Sequence, residues 1–341
     1  MDAYGLGRVM GEKGVLPQRA KKLDPSLPLR EGELLIDVES LNIDAASFKQ
    51  LKDTAGGDVA KIGSAIQSIV SERGKMQNPV TGSGGMLIGR VKEISPQHPA
   101  FGTLKVGDRL ATLVSLTLTP LVIDEIRAIK AEIDRVDIRG RAILFASGIY
   151  AKLPDDMPDT LTLAALDVCG APALVARYVK PGMRVVMLGA GKSGALCLAQ
   201  ARESMNGQGQ LIALDISQPA LETLANLKLC DAFAKVDATQ GVEVMETISK
   251  LTDGNLADLV VNCASVANTE MASILSVRDG GTVIFFSMAT SFTTAALGAE
   301  GVGKDVQMIV GNGYVPRHAD LTLELLRRQE PLRKLFEQRY V

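Results

Sequence analysis

Three glycines, Gly189, Gly191 and Gly194, constrain this chain more than any other feature. They follow the apolar run Arg184-Val-Val-Met-Leu188 and precede the helix-like stretch Ala195-Leu-Cys-Leu-Ala-Gln200. A G-x-G-x-x-G between a strand and a helix is the fingerprint of a dinucleotide-binding unit. Gly189 permits the tight turn, and Gly191 removes a Cβ where a pyrophosphate must approach the backbone. Gly194 lets the helix lie close to the strand. The pyrophosphate then sits on the Lys192 and Ser193 amides, where unpaired N–H groups and the helix dipole favour an anion.

The rest of the second half reads as repeated strand–helix units. Apolar runs at Arg184–Leu188, Gln210–Leu214, Ala232–Lys235, Asp258–Asn262, Thr282–Phe286 and Val306–Val310 lack alternation, as strands buried on both faces of a parallel sheet do. Helical stretches begin near Gly191, Gln218, Gly241, Asn268 and Ser291. Right-handed crossovers between such units give an α/β fold with a doubly wound parallel sheet. Asp215 ends the second run, about 20 residues beyond the last glycine, where a carboxylate accepts from the adenosine ribose hydroxyls. The alternative role for Asp215 is a helix N-cap. No Arg follows in Ile216-Ser217-Gln218-Pro219, so a 2′-phosphate would meet only negative charge. NAD rather than NADP is expected, with Asp215 and Ile216 at its adenosine end. Ala264 and Ser265 after the fourth strand, and Ser287 after the fifth, are expected near the nicotinamide, since ligands cross the carboxyl edge of such a sheet.

The first half differs. Short runs at Glu33–Val38, Leu87–Ile94 and Asp108–Val114 are separated by Gly, Pro and Asp and read as a β-rich domain. The stretch Ile123–Val136 places apolar residues and charge pairs three or four apart, which predicts a surface helix. A chain of 341 residues suggests about two domains. The expected division is 1–150 with 314–341 as the β-rich domain and 151–313 as the nucleotide domain, the last segment returning to the first.

Composition narrows the function. Net charge is −2 and aromatics are 4% with no tryptophan. A basic surface for nucleic acid or membrane and a base-stacking platform are therefore not expected. Two histidines, His98 and His318, exclude a histidine-rich metal site. Cys169, Cys197, Cys230 and Cys263 form no C-x-x-C pair and read as buried free thiols. No apolar run is long enough to span a bilayer, and the N-terminus lacks a signal-peptide pattern. The expected location is the cytoplasm.

The order of these parts resembles the medium-chain dehydrogenase/reductase superfamily. The matching pieces are Gly32–Val38, Gly89–Ile94, Val106–Arg109, Lys180–Val185, the glycine turn and Arg278–Val283. The resemblance implies a Rossmann domain with a GroES-like N-terminal domain, and a homodimer through the edge strand Thr282–Phe286. More narrowly, Gly14–Gln18, Ser40–Gln50, Pro79–Met86, Leu116–Leu121 and Gly140–Phe145 resemble the L-erythro-3,5-diaminohexanoate dehydrogenase family. That implies NAD-dependent oxidative deamination of (3S,5S)-3,5-diaminohexanoate to 5-amino-3-oxohexanoate and ammonia, a reaction of lysine fermentation.

Zinc-dependent members of the superfamily place a Cys, a Gly-His-Glu segment and a later Cys around the metal. Here those places hold Asp44, Gly84-Gly85-Met86 and Cys169. One carboxylate and one thiol fall short of the three protein ligands of a catalytic zinc, so no metal is expected and Cys169 reads as a core thiol. Acid/base chemistry at the amine then falls to a carboxylate. Asp44 is the candidate, either as that group or as an electrostatic holder of an ammonium; a helix N-cap before Ala45 is the plain alternative. Ser47 is a second candidate catalytic residue. Thr81, Ser83, Gly84 and Tyr314 are candidate substrate-binding residues. Two other readings fit the superfamily: a zinc-free quinone oxidoreductase or enoyl reductase, and a non-catalytic NAD-binding sensor.

Overall fold

The computed structural model describes all 341 residues. The chain forms two compact units, Met1–Asp155 and Asp156–Val341. The first contains β1 (Glu33–Asn42), α1 (Ala45–Thr54), α2 (Val59–Arg73), β2 (Met86–Ile94), β3 (Arg109–Thr112), β4 (Leu121–Lys130), β5 (Arg135–Phe145) and β6 (Tyr150–Lys152). Its strands form one sheet in the order β4-β5-β1-β2-β3-β6, and every pairing is antiparallel. The core lies between the sheet and α1 and α2, built on Leu34, Ile36, Phe48, Ile62, Ile66, Leu87 and Ile138. Arg8 fastens the N-terminal segment to it: the buried guanidinium meets Glu33 at 2.6 Å and donates to the carbonyls of Asp24, Ser26 and Pro28.

The stretch Ile123–Val136 is not a helix. It forms β4, a turn and the start of β5. Two register shifts, between Ile123 and Glu125 and between Ile126 and Ala128, interrupt the β4–β5 ladder. A bulge sets two residues against one, so two successive bulges turn a two-residue repeat into a three-residue one. Ile123, Ile126 and Ile129 all reach the core on that spacing, which imitates helical periodicity.

The second unit contains α3 (Asp159–Leu166), α4 (Gly170–Tyr178), β7 (Arg184–Leu188), α5 (Lys192–Met205), β8 (Gln210–Asp215), α6 (Gln218–Asn226), β9 (Ala232–Lys235), α7 (Gly241–Leu251), β10 (Ala257–Asn262), α8 (Glu270–Ser276), β11 (Val277–Phe285), α9 (Phe292–Gly301), β12 (Val306–Val310), α10 (His318–Arg328) and α11 (Glu330–Tyr340). The strand order is β12-β11-β10-β7-β8-β9, all parallel. This is the doubly wound sheet expected from the sequence, reversing direction beside β7.

Two placements differ from the sequence expectation. Helices α10 and α11 lie on α3, α4 and α5, so 314–341 belongs to the second unit rather than the first. Their apolar stripes, with Leu323, Leu326, Leu332 and Phe336 buried, need a partner face, and the helices that open the second unit provide it. The strand of Thr282–Phe286 is also not an edge: β11 lies between β10 and β12. No single helix is long and apolar enough to cross a membrane.

Candidate functional site

In the second unit the glycine turn joins β7 to α5. Gly189 has a φ of 101°, and a Cβ there would lie 3.0 Å from the carbonyl carbon of Cys263. At Gly194 a Cβ would come within 1.9 Å of the Gly189 carbonyl oxygen, so only glycine lets α5 start this close to the turn. Gly191 is the N-cap of α5, and no side chain caps the first turn. A Cβ on Gly191 would meet nothing within 4 Å. The Lys192 and Ser193 amides therefore begin a helix whose N-terminus borders open space, the cradle an anion requires. The Lys192 ammonium is held aside by Asp167 at 2.6 Å and lies over the Tyr340 ring.

Asp215 ends β8 and binds the turn directly. Its Oδ2 accepts from the Ala190 amide at 2.6 Å and its Oδ1 from the Ser217 amide at 2.8 Å. The cap of α6 is Ser217, which accepts from Ala220, so Asp215 is not the N-cap. Ile216 beside it is 65% exposed. Beyond β10 and β11, Ala264 is half-buried, Ser265 is exposed and Ser287 is half-buried. Asn262, which the sequence reading passed over, organises both loops. It is fully buried at the end of β10, donates to Thr269 and Ser273, and accepts from the Ala264 amide. Its carbonyl accepts from the Phe286 and Ser287 amides. An Asn closing an apolar strand was the available signal.

In the first unit the residues of Ser40–Gln50 and Pro79–Met86 come together. Asp44 is the N-cap of α1: its Oδ1 accepts from the Ser47 amide at 3.0 Å. Its Oδ2 is buried with no hydrogen-bond partner. The cap role is real, yet it uses only one of the two oxygens. The Ser47 hydroxyl is completely buried and touches two others, Thr81 Oγ1 at 2.5 Å and Ser83 Oγ at 2.8 Å. Asn78, also missed from sequence, fixes this hydroxyl trio. Its amide donates to the Ser47 carbonyl and to Gln50, and its Oδ1 accepts from the Val80 and Thr81 amides. Gly84 is buried, and a Cβ there would lie 2.5 Å from the Met76 carbonyl oxygen, so its bareness serves packing. Tyr314, in the second unit, is 45% exposed and meets the His318 ring edge-on.

The remaining ionisable groups that tempt a chemical reading are core residues. His98 and His318 are buried, and burial lowers both imidazoles below their ordinary pKa. Burial pushes the Cys169 thiol up to about 12. No group of three or more His, Cys, Asp or Glu side chains is arranged to hold a metal ion.

Residues 7–154 match the L-erythro-3,5-diaminohexanoate dehydrogenase N-terminal domain family. The whole chain is similar to two L-erythro-3,5-diaminohexanoate dehydrogenases. That of Acetoanaerobium sticklandii is 54% identical, covering 99% of this chain and 98% of the relative. That of Fusobacterium nucleatum is 52% identical over the same shares. Among solved structures, an alcohol dehydrogenase of Thermotoga maritima superposes with a TM-score of 0.56 at 18% identity, covering 91% of this chain and 86% of the other. That likeness concerns the fold.

Proposed function

The chain belongs to the L-erythro-3,5-diaminohexanoate dehydrogenase family, and on that premise we propose that it catalyses the NAD-dependent oxidative deamination of (3S,5S)-3,5-diaminohexanoate to 5-amino-3-oxohexanoate. The full-length relationship carries this reading. The quinone or enoyl reductase and sensor readings have no comparable support.

A nicotinamide cofactor fits the residues present. The Gly191 cradle with the Lys192 and Ser193 amides would take the pyrophosphate. Asp215, held by two backbone amides, would receive the ribose hydroxyls and repel a 2′-phosphate, which favours NAD over NADP. Ile216 would flank the adenine, and Ala264, Ser265 and Ser287 would line the nicotinamide end. When bound, the cofactor supplies the acceptor for the hydride that leaves C3.

The chain's own task is proton management. A free alkyl ammonium is mostly protonated near neutral pH, and only the neutral amine assists hydride loss from its carbon. Asp44 Oδ2, buried and without a donor, is the oxygen assigned to receive that proton. The same carboxylate can return a proton as water adds to the iminium carbon and the C–N bond breaks. The reaction consumes one water and yields the ketone, ammonium, reduced cofactor and one proton. Ser47, through its hydroxyl contacts with Thr81 and Ser83, links α1 to the loop that would bind substrate. Thr81 and Ser83 are assigned to hydrogen-bond it, with Gly84 shaping that loop. Tyr314, being exposed, is the weakest of the assigned substrate contacts.

We also infer a homodimer, formed through β12 rather than β11. It is an edge strand with Met308 37% and Val310 52% exposed; unpaired apolar edges of this kind invite pairing. Four unpaired cysteines support a cytoplasmic location.

The decisive assay is the absorbance of reduced cofactor with 3,5-diaminohexanoate, lysine, 2,4-diaminopentanoate and simple alcohols as substrates. Turnover of the first with NAD is expected; activity only with a quinone and NADPH would overturn the reading. Asp44→Asn should cut kcat by about 10²–10⁴-fold, and unchanged turnover would remove Asp44 from the chemistry.

A further inference from the structure

We propose that Glu270 is a positioning residue for the cofactor. It seats the loop Ser287–Ser291 against the nicotinamide end through the Ser291 amide and, once the ring is held, the Thr290 hydroxyl. This rests on the nicotinamide-cofactor reading above and deepens it.

Glu270 lies in the first turn of α8, where helix amides favour a carboxylate. It is 1% exposed. Its Oε1 accepts from the Ser291 amide at 2.6 Å. Ser291 is the N-cap of α9, and its hydroxyl accepts from the Thr294 amide. One residue thus ends the loop, starts a helix and gives its own N–H to Glu270.

The loop leaves β11 under similar control. The Asn262 carbonyl accepts from the Phe286 amide at 2.9 Å and the Ser287 amide at 3.3 Å. The Asn262 side chain donates to Thr269, the residue before Glu270, and to Ser273 of α8. The end of β10 and the start of α8 therefore fasten the loop at both ends. Between the two fastenings Met288 is 84% exposed, and Ala289 is exposed as well. That open middle lies beyond the carboxyl edge of the sheet, where a ligand crosses.

Two polar atoms are left over at the second fastening. Glu270 Oε2 is a buried acceptor without a donor, and Thr290 Oγ1 is a buried hydroxyl without a partner. Leaving buried polar groups unpaired is costly, and a carboxylate is the costlier of the two. Both stand on the segments that the Ser291 bond already joins. A hydroxyl can donate and an ionised carboxylate only accepts, so the bond between them has one direction, Thr290 to Glu270. It is not made in this structure. A loop movement that makes it also carries Ser287–Ala289, because the Thr290 amide donates to the Ser287 carbonyl and the Ala289 amide to the Ser287 hydroxyl.

The test titrates the full-length protein and its Glu270→Ala, Glu270→Gln and Thr290→Val variants with NADH and with ADP-ribose, which lacks the nicotinamide. The Tm of each is measured without ligand. Glu270→Ala and Thr290→Val should weaken NADH about ten- to a hundredfold, the worth of a hydrogen bond to a charged group, and leave ADP-ribose nearly unchanged. Glu270→Gln keeps an acceptor for the Ser291 amide and should recover part of the loss. Thr290→Val removes a hydroxyl that has no partner here, so its Tm should hold or rise while its NADH affinity falls, a combination that a merely structural role would not give. Equal losses on both ligands overturn the inference, as does a Tm that falls together with NADH affinity in Thr290→Val. So does unchanged NADH affinity in either variant; if Glu270→Ala does not fold, Thr290→Val alone decides. A wild-type protein that binds neither ligand removes the cofactor reading and this inference with it; wild-type binding of NADH beside indifferent variants overturns this inference alone.

Discussion

Lys75 offers a quantitative test of how the first unit is held. Its side chain is completely buried, and the ammonium donates to the carbonyls of Pro17 at 2.7 Å and Gln18 at 3.3 Å. Burial lowers its pKa from 10.5 to about 8, with Arg73 adding to the fall and Glu12 opposing it. The unfolded chain keeps the proton up to pH 10.5 while the folded chain releases it from about pH 8. Between those values the unfolded state binds more protons, so stability rises with pH. Below pH 8 the cost is present in full, about 3 kcal/mol at 1.36 kcal/mol per pKa unit. Moving from pH 7 to pH 10 should recover about 2.5 kcal/mol of it. Lys75→Met removes the titration and leaves the Pro17 carbonyl without its donor, an offsetting cost of about 1–3 kcal/mol. The two proteins should therefore be of similar stability at pH 7 and diverge above pH 8. Urea unfolding of both at pH 7, 8, 9 and 10 measures the difference, and other titrating groups cancel in the subtraction. A difference that stays flat across this range, or shrinks for the wild type, would refute a buried charged lysine here.

Gly194→Ala should destabilise the second unit by about 1–3 kcal/mol through overpacking and abolish NAD binding, read by thermal unfolding with and without cofactor; normal binding would show that α5 need not start so close to Gly189. Asp215→Ala should weaken NAD about ten- to a hundredfold, the loss of a charged hydrogen-bond acceptor, and narrow the preference over NADP; calorimetric titration of both cofactors reports it. Met308→Lys on β12 should shift a dimer toward monomer in light scattering, whereas an unchanged mass would place any interface elsewhere.

The nucleotide half was largely legible because its signals are local. The turn glycines, the strand before them and Asp215 lie within one βα unit, and three of the six parallel strands match their apolar runs residue for residue. The first half misled where the ladder departs from simple alternation. Ile123, Ile126 and Ile129 recur at the spacing of a helix, and only pairing with β5 shows that bulges produce it. Helix α1 was legible only as the N-cap alternative for Asp44, and α2 was passed over although Ile62, Ile66 and Val70 recur at helical spacing and reach the core. Asn78 was invisible because Ser47 and Gln50, which it joins, come from another segment, whereas Asn262 left only the weak signal of an Asn closing an apolar strand, its side-chain partners lying within eleven residues.

The sequence alone determined the dinucleotide turn, the parallel sheet and the shortage of metal ligands, since each follows from residue type and short-range spacing. The tertiary structure decided which unit takes 314–341, which strand is the edge, and which polar groups share the end of β1. Those depend on which apolar faces find one another and on sheet register. That register sets Asn42 opposite Arg135, and no pattern along the chain records it.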